Sequence, residues 1–206
     1  MTDDLQIQRT VCARIPTGAG EFDLCLYTNN QDDKEHLALI KGDVYGKSSV
    51  LVRIHSECFT GDVLGSRRCD CGEQLNNALQ MIALEDSGVI VYLRQEGRGI
   101  GLLEKLRAYN LQDQGLDTVD ANLALGHAID DRDYRMAVAI LNDLGVQSVR
   151  LMTNNPAKIT DLEQRGLKVE ERIPLVPTVY ADNYGYLLAK AQRMHHLINL
   201  NAALRE

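Results

Sequence analysis

Tryptophan is absent from this chain of 206 residues, and phenylalanine occurs only twice. The interior must therefore rest on aliphatic residues and on some of the eight tyrosines. Long apolar runs are also missing, since no segment approaches the roughly 20 consecutive apolar residues that cross a bilayer. The first ten residues, MTDDLQIQRT, are acidic and polar, unlike a secretory signal peptide. These absences predict a cytoplasmic protein with no membrane partner.

A basic excess is lacking as well, because 22 Lys and Arg oppose 29 Asp and Glu, a formal net charge of -7. General nucleic-acid binders carry a basic excess, so we expect no nucleic-acid partner. The charge balance still permits a local cationic pocket for one small anion. The composition, 45% hydrophobic and 25% charged, is typical of a globular protein, and we expect residues 1–206 to form one compact domain.

The first quarter of the chain alternates apolar and polar residues between turns, which predicts an antiparallel meander. Its four predicted strands are IQRTVCARI, EFDLCLYT, HLALI and VLVRIHSE, the last two paired across the turn KGDVYGKSS. Helical periods and apolar runs then alternate. They predict helices over CGEQLNNALQMIALEDSG and YRMAVAILNDLG, and buried strands over GVIVYLRQ and QSVRLMT.

A last helix is predicted from about Tyr186 to Leu204, with an apolar stripe formed by Leu187, Ala191, Met194 and Ile198. The predicted fold class is therefore α+β, with a mixed sheet, an antiparallel N-terminal meander and flanking helices.

Cysteines are few, yet three of the five fall within CFTGDVLGSRRCDCG, residues 58–72. Cys69 and Cys71 are two residues apart, and the segment back to Cys58 is long enough to return that thiol to the pair. Three thiolates are a donor set suited to zinc. Structural zinc sites normally use four protein ligands, whereas catalytic sites use three and leave one position for water. The cluster therefore predicts a catalytic site for one Zn²⁺ per chain.

Other interpretations of the cluster stay open on sequence alone. The three cysteines could be small buried residues without a metal, or His55 or a carboxylate could close a structural site. The tripeptide HSE, residues 55–57, has the H-x-E form of zinc deaminases, but their P-C-x-x-C motif is missing. Cys12 and Cys25 lie in strand-like segments among apolar residues, so we expect them to be reduced core cysteines.

Two loops are candidates for holding an anion. RQEGRGIG, residues 94–101, combines glycines that permit close backbone approach with the planar donors of Arg94 and Arg98. It is neither a Walker loop nor a Rossmann fingerprint, and an ordinary turn is the alternative. LMTNNPAK places Thr153 and Lys158 at a predicted helix start, where anions bind, the alternative being a capped helix with a solvated lysine.

Two further charged groups accompany these loops. Arg53, Arg67 and Arg68 bracket the thiol cluster, which favours a polyanionic substrate over simple surface solvation. In HAIDDRDYR, Asp130 beside Arg132 has the composition of a base and its cationic partner, although acidic residues that stabilise a helix dipole look the same in sequence.

Four segments together resemble GTP cyclohydrolase II, in the form without a second domain: RIHSECFTGDVLGSRRCDCGEQL, LRQEGRGIGLLEKLRAYNLQDQGLDTVDAN, DDRDYR and RLMTNNPAK. The resemblance implies zinc-dependent hydrolysis of GTP to 2,5-diamino-6-ribosylamino-4(3H)-pyrimidinone 5′-phosphate, formate and pyrophosphate, the first step of riboflavin synthesis. It also implies Mg²⁺ with the triphosphate and a homodimer. A catalytically weak nucleotide-binding paralogue is the alternative.

The resemblance assigns roles residue by residue. Cys58, Cys69 and Cys71 would hold zinc. Tyr109 would assist at the ring, Asp130 would accept a proton, and Arg132 would attack the α-phosphate as a nucleophile. The implied GTP-binding residues are Arg53, Ile54 through its backbone, His55, Ser56, Glu57, Gln74, Glu96, Gly97, Arg98, Thr118, Thr153 and Lys158. The segment PLVPTVYADNYGYLLAK departs from the family's usual asparagine-rich loop.

Overall fold

A mixed sheet of seven strands organises the computed structural model, which describes residues 4–130 and 132–200. The order across the sheet is β1-β2-β3-β5-β4-β6-β7. The strands are β1 (Ile7–Pro16), β2 (Glu21–Asn29), β3 (His36–Lys41), β4 (Val50–Ser56), β5 (Gly88–Leu93), β6 (Ser148–Met152) and β7 (Lys168–Ile173). Strands β1, β2, β3 and β5 pair antiparallel, whereas β5, β4, β6 and β7 pair parallel.

The helices cover both faces of the sheet. They are α1 (Phe59–Asp62), α2 (Cys71–Ala83), α3 (Gly101–Asp113), α4 (Thr118–Ala124), α5 (Arg135–Asp143), α6 (Pro156–Gln164) and α7 (Ala181–Arg193). On one face, α2 packs Ala78 and Ile82 into a core with Leu51 and Ile90. On the other, α5 and α6 share the larger core with β4, β5 and β6. The predicted α+β class with flanking helices is confirmed, while α1, α4 and β7 were not predicted.

The predicted pairing of β3 with β4 is wrong. The meander ends at β3, and β5 lies between β3 and β4, bonded antiparallel to the first and parallel to the second. Six of the seven residues of β4 are buried. A strand covered on both faces belongs at the centre of a parallel region rather than in an edge hairpin, and the segment VLVRI, apolar except for Arg53, suits that central place.

The last helix lies earlier in the chain than predicted. It spans Ala181–Arg193, so Met194 and Ile198 follow the helix instead of extending its stripe, and residues 201–204 of the prediction lie outside the described residues. After Met194 the chain turns and docks on the end of β6, where the Leu197 N–H donates to the Asn154 carbonyl oxygen at 2.8 Å. Within the described ranges, no helix is both long and apolar enough to cross a bilayer.

Cys12 and Cys25 form a disulfide, so the expectation of two reduced core cysteines is wrong. Only Cys25 is buried in the core, while Cys12 is exposed on β1. The two residues are direct partners in the β1–β2 register, with Cα atoms 4.1 Å apart. Facing positions without mutual hydrogen bonds bring Cβ atoms of antiparallel strands close together, and alternation in sequence cannot reveal that pairing.

We therefore expect three titratable thiols in the chain when it is unfolded with a chelator but without reductant, and five after reduction. Counting with a thiol reagent measures this directly. Cys12→Ser is the matched control, because it frees Cys25 and should give four thiols before reduction. Five thiols in the unreduced wild-type chain would contradict the bond.

Candidate functional site

The parallel part of the sheet brings three segments to one edge. The carboxyl ends of β4, β5 and β6 face the same way, so Glu57–Cys58, the glycine-rich loop after β5 and the segment from Thr153 converge there. Open α/β sheets bind ligands at this edge. The cleft there, counted together with the solvent space at its open mouth, holds about 970 Å³ outside the protein atoms. It is lined by the predicted residues Arg53, His55, Ser56, Glu57, Cys58, Cys69, Cys71, Gln74, Glu96, Gly97, Arg98, Tyr109, Thr118, Arg132, Thr153 and Lys158.

Two predicted residues stand behind the lining. Ile54 is fully buried in β4, and its carbonyl oxygen accepts a hydrogen bond from Lys158 Nζ at 2.8 Å. Asp130 lies behind Arg132, with its carboxylate bonded to that guanidinium. Each therefore contacts the cleft indirectly, Ile54 through Lys158 and Asp130 through Arg132.

The predicted thiol cluster assembles. The sulfur atoms of Cys58, Cys69 and Cys71 all lie within 4.8 Å of one another, and those of Cys58 and Cys69 are 3.6 Å apart. Thiolates at about 2.3 Å from one tetrahedral zinc are themselves roughly 3.8 Å apart. The donor set and its spacing thus fit one zinc ion, with the cleft on the open side.

Two glycines that were not singled out from the sequence, Gly61 and Gly72, allow the three thiols to come this close together. A Cβ on Gly61 would lie 3.0 Å from the Cys69 sulfur and 3.1 Å from the Cys58 sulfur, within the space next to the cluster. A Cβ on Gly72 would lie 2.1 Å from the Gly61 carbonyl oxygen. The short helix α1 and the start of α2 therefore touch backbone to backbone, which carries Cys58 to the other two thiols.

Gly72→Ala is expected to push α1 away from α2 and to open the thiol cluster. Disturbing the groups that support metal ligands commonly weakens metal binding about 10- to 100-fold, and we expect zinc affinity to fall by at least the lower factor. Competition with a chelator measures it. Gly18→Ala is the control, because a Cβ there meets nothing within 4 Å. Unchanged zinc affinity in Gly72→Ala would contradict the backbone-contact argument.

A lysine absent from the predicted set stands against the cluster. Lys105 Nζ lies 3.0 Å from the Cys58 sulfur and 2.7 Å from Glu96 Oε1. Burial lowers the pKa of Lys105, but the Cys58 thiolate and Glu96 raise it overall, so the ammonium stays charged. Hydrogen bonds from Cys69 and Cys71 lower the pKa of Cys58. Glu96 also accepts the N–H groups of Phe59 and Gly97, so its carboxylate holds the loop to α1.

The glycine-rich loop turns through left-handed backbone. Gly97 has φ 64°, and Arg98 adopts the same value, which is uncommon for a residue with a side chain. This turn aims Arg98 across the cleft, where Nη1 lies 3.3 Å from Thr118 Oγ1 and the guanidinium stands 5.7 Å from the ring centre of Tyr186. The strained backbone thus serves to present a cation.

Three cations on the cleft have neutral hydrogen-bond partners. Arg53 donates to the Met152 carbonyl oxygen at 3.0 Å and to Gln74 Oε1 at 2.7 Å. Lys158 donates to the Ile54 carbonyl oxygen, and Arg98 to Thr118. Burial, together with the charges of Arg53 and Arg132, lowers the pKa of Lys158. Positive charge collected without carboxylate partners is the electrostatic setting for binding an anion.

Arg132 and Asp130 form a two-bond ion pair, with Nε 2.7 Å from Oδ1 and Nη2 bonded to Oδ2. Burial alone would lower the pKa of Arg132, but Tyr134 and Asp130 raise it overall. Burial would raise the pKa of Asp130, but its bonds with Arg132 lower it. Both groups therefore stay charged near neutral pH.

His55 has an orienting carboxylate that the sequence analysis missed. Its Nε2 lies 3.0 Å from Asp62 Oδ1, and Asp62 also accepts the Cys58 N–H and the Tyr92 hydroxyl, each at 2.9 Å. Burial lowers the pKa of His55, so the imidazole is neutral and Nε2–H donates to Asp62. Asp62 follows Cys58 by one helical turn, a spacing visible in the sequence but uninformative without the fold.

Unpaired polar atoms gather on the same cleft. In the described part of the chain, Arg53 Nε, His55 Nδ1, Ser56 Oγ, Arg98 Nη2 and both ring nitrogens of His196 are buried without a hydrogen-bond partner. Buried polar groups are usually satisfied, so this concentration indicates a polar ligand. The cleft residues not predicted from sequence include Lys105, Asn122, Asn154, Tyr186, Lys190 and His196.

Comparison with known proteins agrees with this geometry. The profile of the family "GTP cyclohydrolase II" matches residues 8–174. The riboflavin biosynthesis protein RibBA of Bacillus mycoides (strain KBAB4) is 55% identical over 194 residues, which are 94% of this chain and 49% of that protein. The protein of the same name from Mycobacterium marinum (strain ATCC BAA-535 / M) is 56% identical over 195 residues, which cover 92% of this chain and 46% of that protein. The chain thus spans about half the length of the curated relatives it matches.

A solved structure supports the fold alone. It is RibBX, a two-domain 3,4-dihydroxy-2-butanone 4-phosphate synthase from A. baumannii, with a TM-score of 0.50 and 21% sequence identity, covering 84% of this chain and 41% of that one. With a profile match over most of its length and a cleft that joins the thiol triad to the glycine-rich loop, the chain belongs to the GTP cyclohydrolase II family.

Proposed function

We propose that this chain hydrolyses GTP to 2,5-diamino-6-ribosylamino-4(3H)-pyrimidinone 5′-phosphate, formate and pyrophosphate, the first step of riboflavin synthesis. The observation that carries the proposal is one cleft that joins a three-thiol metal site to Arg53, Arg98 and Lys158, which have no carboxylate partner in the described part of the chain. Arg53 and Lys158 are buried. The proposed reaction would use both features, the metal site to open the purine ring and the cations to bind the phosphates. The names of the RibBA relatives support the same pathway.

Cys58, Cys69 and Cys71 would hold one Zn²⁺ per chain, which when bound activates water as a nucleophile near neutral pH. Tyr109 stands close to this site, with its hydroxyl 3.4 Å from Thr60 Oγ1. Burial raises the pKa of Tyr109, so its phenol is a neutral donor. We propose that it donates a hydrogen bond to the guanine ring during opening.

Arg53, Arg98 and Lys158 are proposed to bind the triphosphate, with Mg²⁺ neutralising the remaining phosphate charge. The other predicted binding residues would contact the ribose and the base: the backbone of Ile54 and the side chains or backbone of His55, Ser56, Glu57, Gln74, Glu96, Gly97, Thr118 and Thr153. His55 offers a buried acceptor, Nδ1, that has no partner among the described residues.

Arg132 is proposed to stabilise the charge that develops on the α-phosphate. The resemblance implies instead that it is the nucleophile and Asp130 its proton acceptor. Its two-bond pair with Asp130 raises the pKa of Arg132, and a protonated guanidinium has no free electron pair for attack. Stabilisation of phosphate charge is the chemistry that a protonated arginine performs.

We also propose that residues 1–206 act as one domain of a cytoplasmic homodimer. Support for the dimer comes from exposed leucines on two helices that also line the cleft: Leu102, Leu103 and Leu106 of α3 and Leu123 of α4. Light scattering on the purified chain would give the mass of two chains, whereas the mass of one would contradict the dimer.

The deciding experiment incubates chain of measured zinc content with GTP and Mg²⁺ and follows formate and pyrophosphate together. We expect equal amounts of both, with about one zinc per chain. Neither product, with GTP still bound, would instead favour a nucleotide-binding paralogue. Ammonia without formate would favour a deaminase.

A further inference from the structure

Helix α7 and the turn after it form one wall of the cleft, although they lie beyond residue 174, where the family match ends. The turn is fixed by two backbone bonds, from His196 N–H to the Lys190 carbonyl oxygen at 2.9 Å and from Leu197 N–H to that of Asn154 at 2.8 Å. The segment lines the cleft with Tyr186, Lys190, Met194 and His196.

Lys190 pairs with a carboxylate beside the thiol cluster. Its Nζ lies 2.8 Å and 3.1 Å from the two carboxylate oxygens of Asp70, the residue between Cys69 and Cys71. The exposed fractions of the two side chains are 8% and 0%. Removing one partner of a buried ion pair leaves an uncompensated charge, so Lys190 is the group that neutralises the buried Asp70 carboxylate.

A row of hydrogen bonds leads from this pair to predicted nucleotide residues. Gln74 Nε2 donates to Asp70 Oδ2 at 2.5 Å. Because an ionised carboxylate only accepts hydrogen bonds, the Gln74 amide nitrogen must face Asp70 and its oxygen must face Arg53. Arg53 is thereby held between Gln74 and the Met152 carbonyl oxygen, with its buried Nε lacking a partner in the described chain.

We propose that Lys190 is a positioning residue for the nucleotide site, acting through Asp70 and Gln74 on Arg53. The inference rests on the proposed function, since it takes the nucleotide as the ligand of Arg53. Without Lys190, the Asp70 carboxylate keeps one hydrogen-bond partner among the described residues, the Gln74 amide. Arg53, whose own partners are neutral, is then drawn toward Asp70 and turned from the ligand.

The charge of Asp70 already acts on Arg53. Burial lowers the pKa of Arg53, and Asp70 opposes that shift more than any other group. Lys190 therefore competes with Arg53 for the same carboxylate and leaves the guanidinium free for a ligand. This competition makes a specific prediction. Loss of Lys190 should weaken GTP binding, and removing the Asp70 charge as well should restore it.

The test compares zinc-loaded wild-type chain with Lys190→Met, with Lys190→Met combined with Asp70→Asn, and with Arg193→Met. Arg193 lies on the same helix in an exposed ion pair with Asp117 and is the matched control. GTP dissociation constants come from calorimetry, KM and kcat from formate release, and zinc content from elemental analysis.

We expect Lys190→Met to weaken GTP binding and to raise KM about tenfold or more, with a smaller change in kcat and unchanged zinc content. The double variant should recover most of the affinity, and Arg193→Met should match wild type. Wild-type GTP affinity in Lys190→Met, or no recovery in the double variant, would overturn the role of Lys190 while leaving the proposed function intact. A wild-type chain that binds no GTP would overturn the proposed function, and this role with it.

Discussion

Cys69→Ser is expected to lose its zinc and to release formate from GTP roughly 1,000-fold more slowly, or not at all. Cys69 is buried, and its sulfur lies 3.6 Å from that of Cys58, so its loss removes one of three donors from the set. A metal-assisted step owes several kcal/mol to the ion, and about 4 kcal/mol corresponds to that factor in rate. Zinc content and formate release, measured on the same preparation, test the prediction.

Pyrophosphate release should suffer less in Cys69→Ser, because the cations proposed to bind the triphosphate lie outside the thiol cluster. Cys12→Ser is the control for loss of a cysteine, since Cys12 is exposed on β1, in a disulfide, and outside the cleft. Full zinc content with formate release at the wild-type rate would refute the metal site. Loss of both products together would instead indicate that the cluster supports the whole cleft.

Arg132→Met is expected to slow pyrophosphate release about 100-fold or more, the usual effect of removing a group that stabilises transition-state charge. Arg132→Lys should keep a measurable part of the activity, because a lysine retains the charge but not the planar two-bond pair with Asp130. Single-turnover release of pyrophosphate from zinc-loaded chain is the measurement.

Arg135→Met is the matched control for Arg132. Arg135 pairs with Asp133 at the same spacing of two residues, but its side chain is 44% exposed and does not line the cleft. If Arg132→Lys were as inactive as Arg132→Met, and a guanylyl adduct could be trapped on wild-type Arg132, the nucleophile would be the correct assignment. Wild-type pyrophosphate release in Arg132→Met would exclude both roles.

Local sequence was sufficient wherever the chemistry lies in one short stretch. Cys58, Cys69 and Cys71 fall within fourteen positions, and three soft donors at that density have few other uses. Most of the longer strands and helices followed from periodicity in the same way, because burial of one face repeats with the period of the element. The cleft residues after β4, β5 and β6 were predicted from the thiol cluster, the glycine-rich loop, the helix start at LMTNNPAK and the resemblance; that these strands are parallel and end at a common edge came only from the structure.

Sequence patterns did not predict contacts between segments that are far apart in the chain. The place of β5 between β3 and β4, and the facing of Cys12 and Cys25, depend on strand register and not on the pattern of either strand. The backbone contact of Gly61 with Gly72 depends on how closely two helices approach. None of these contacts produces a periodic pattern in the sequence, since each depends on how one segment packs against another.

The sequence by itself determined the fold class, the thiol donor set and the cationic loops, because each depends on residue type and short-range spacing. Only the tertiary structure decided which of those groups face one another. Lys190 and Asp70 are 120 positions apart and meet because α7 packs back over the cleft. Arg53, Arg98 and Lys158 lie on one cleft, as the proposed anion site requires, because the parallel strands end side by side.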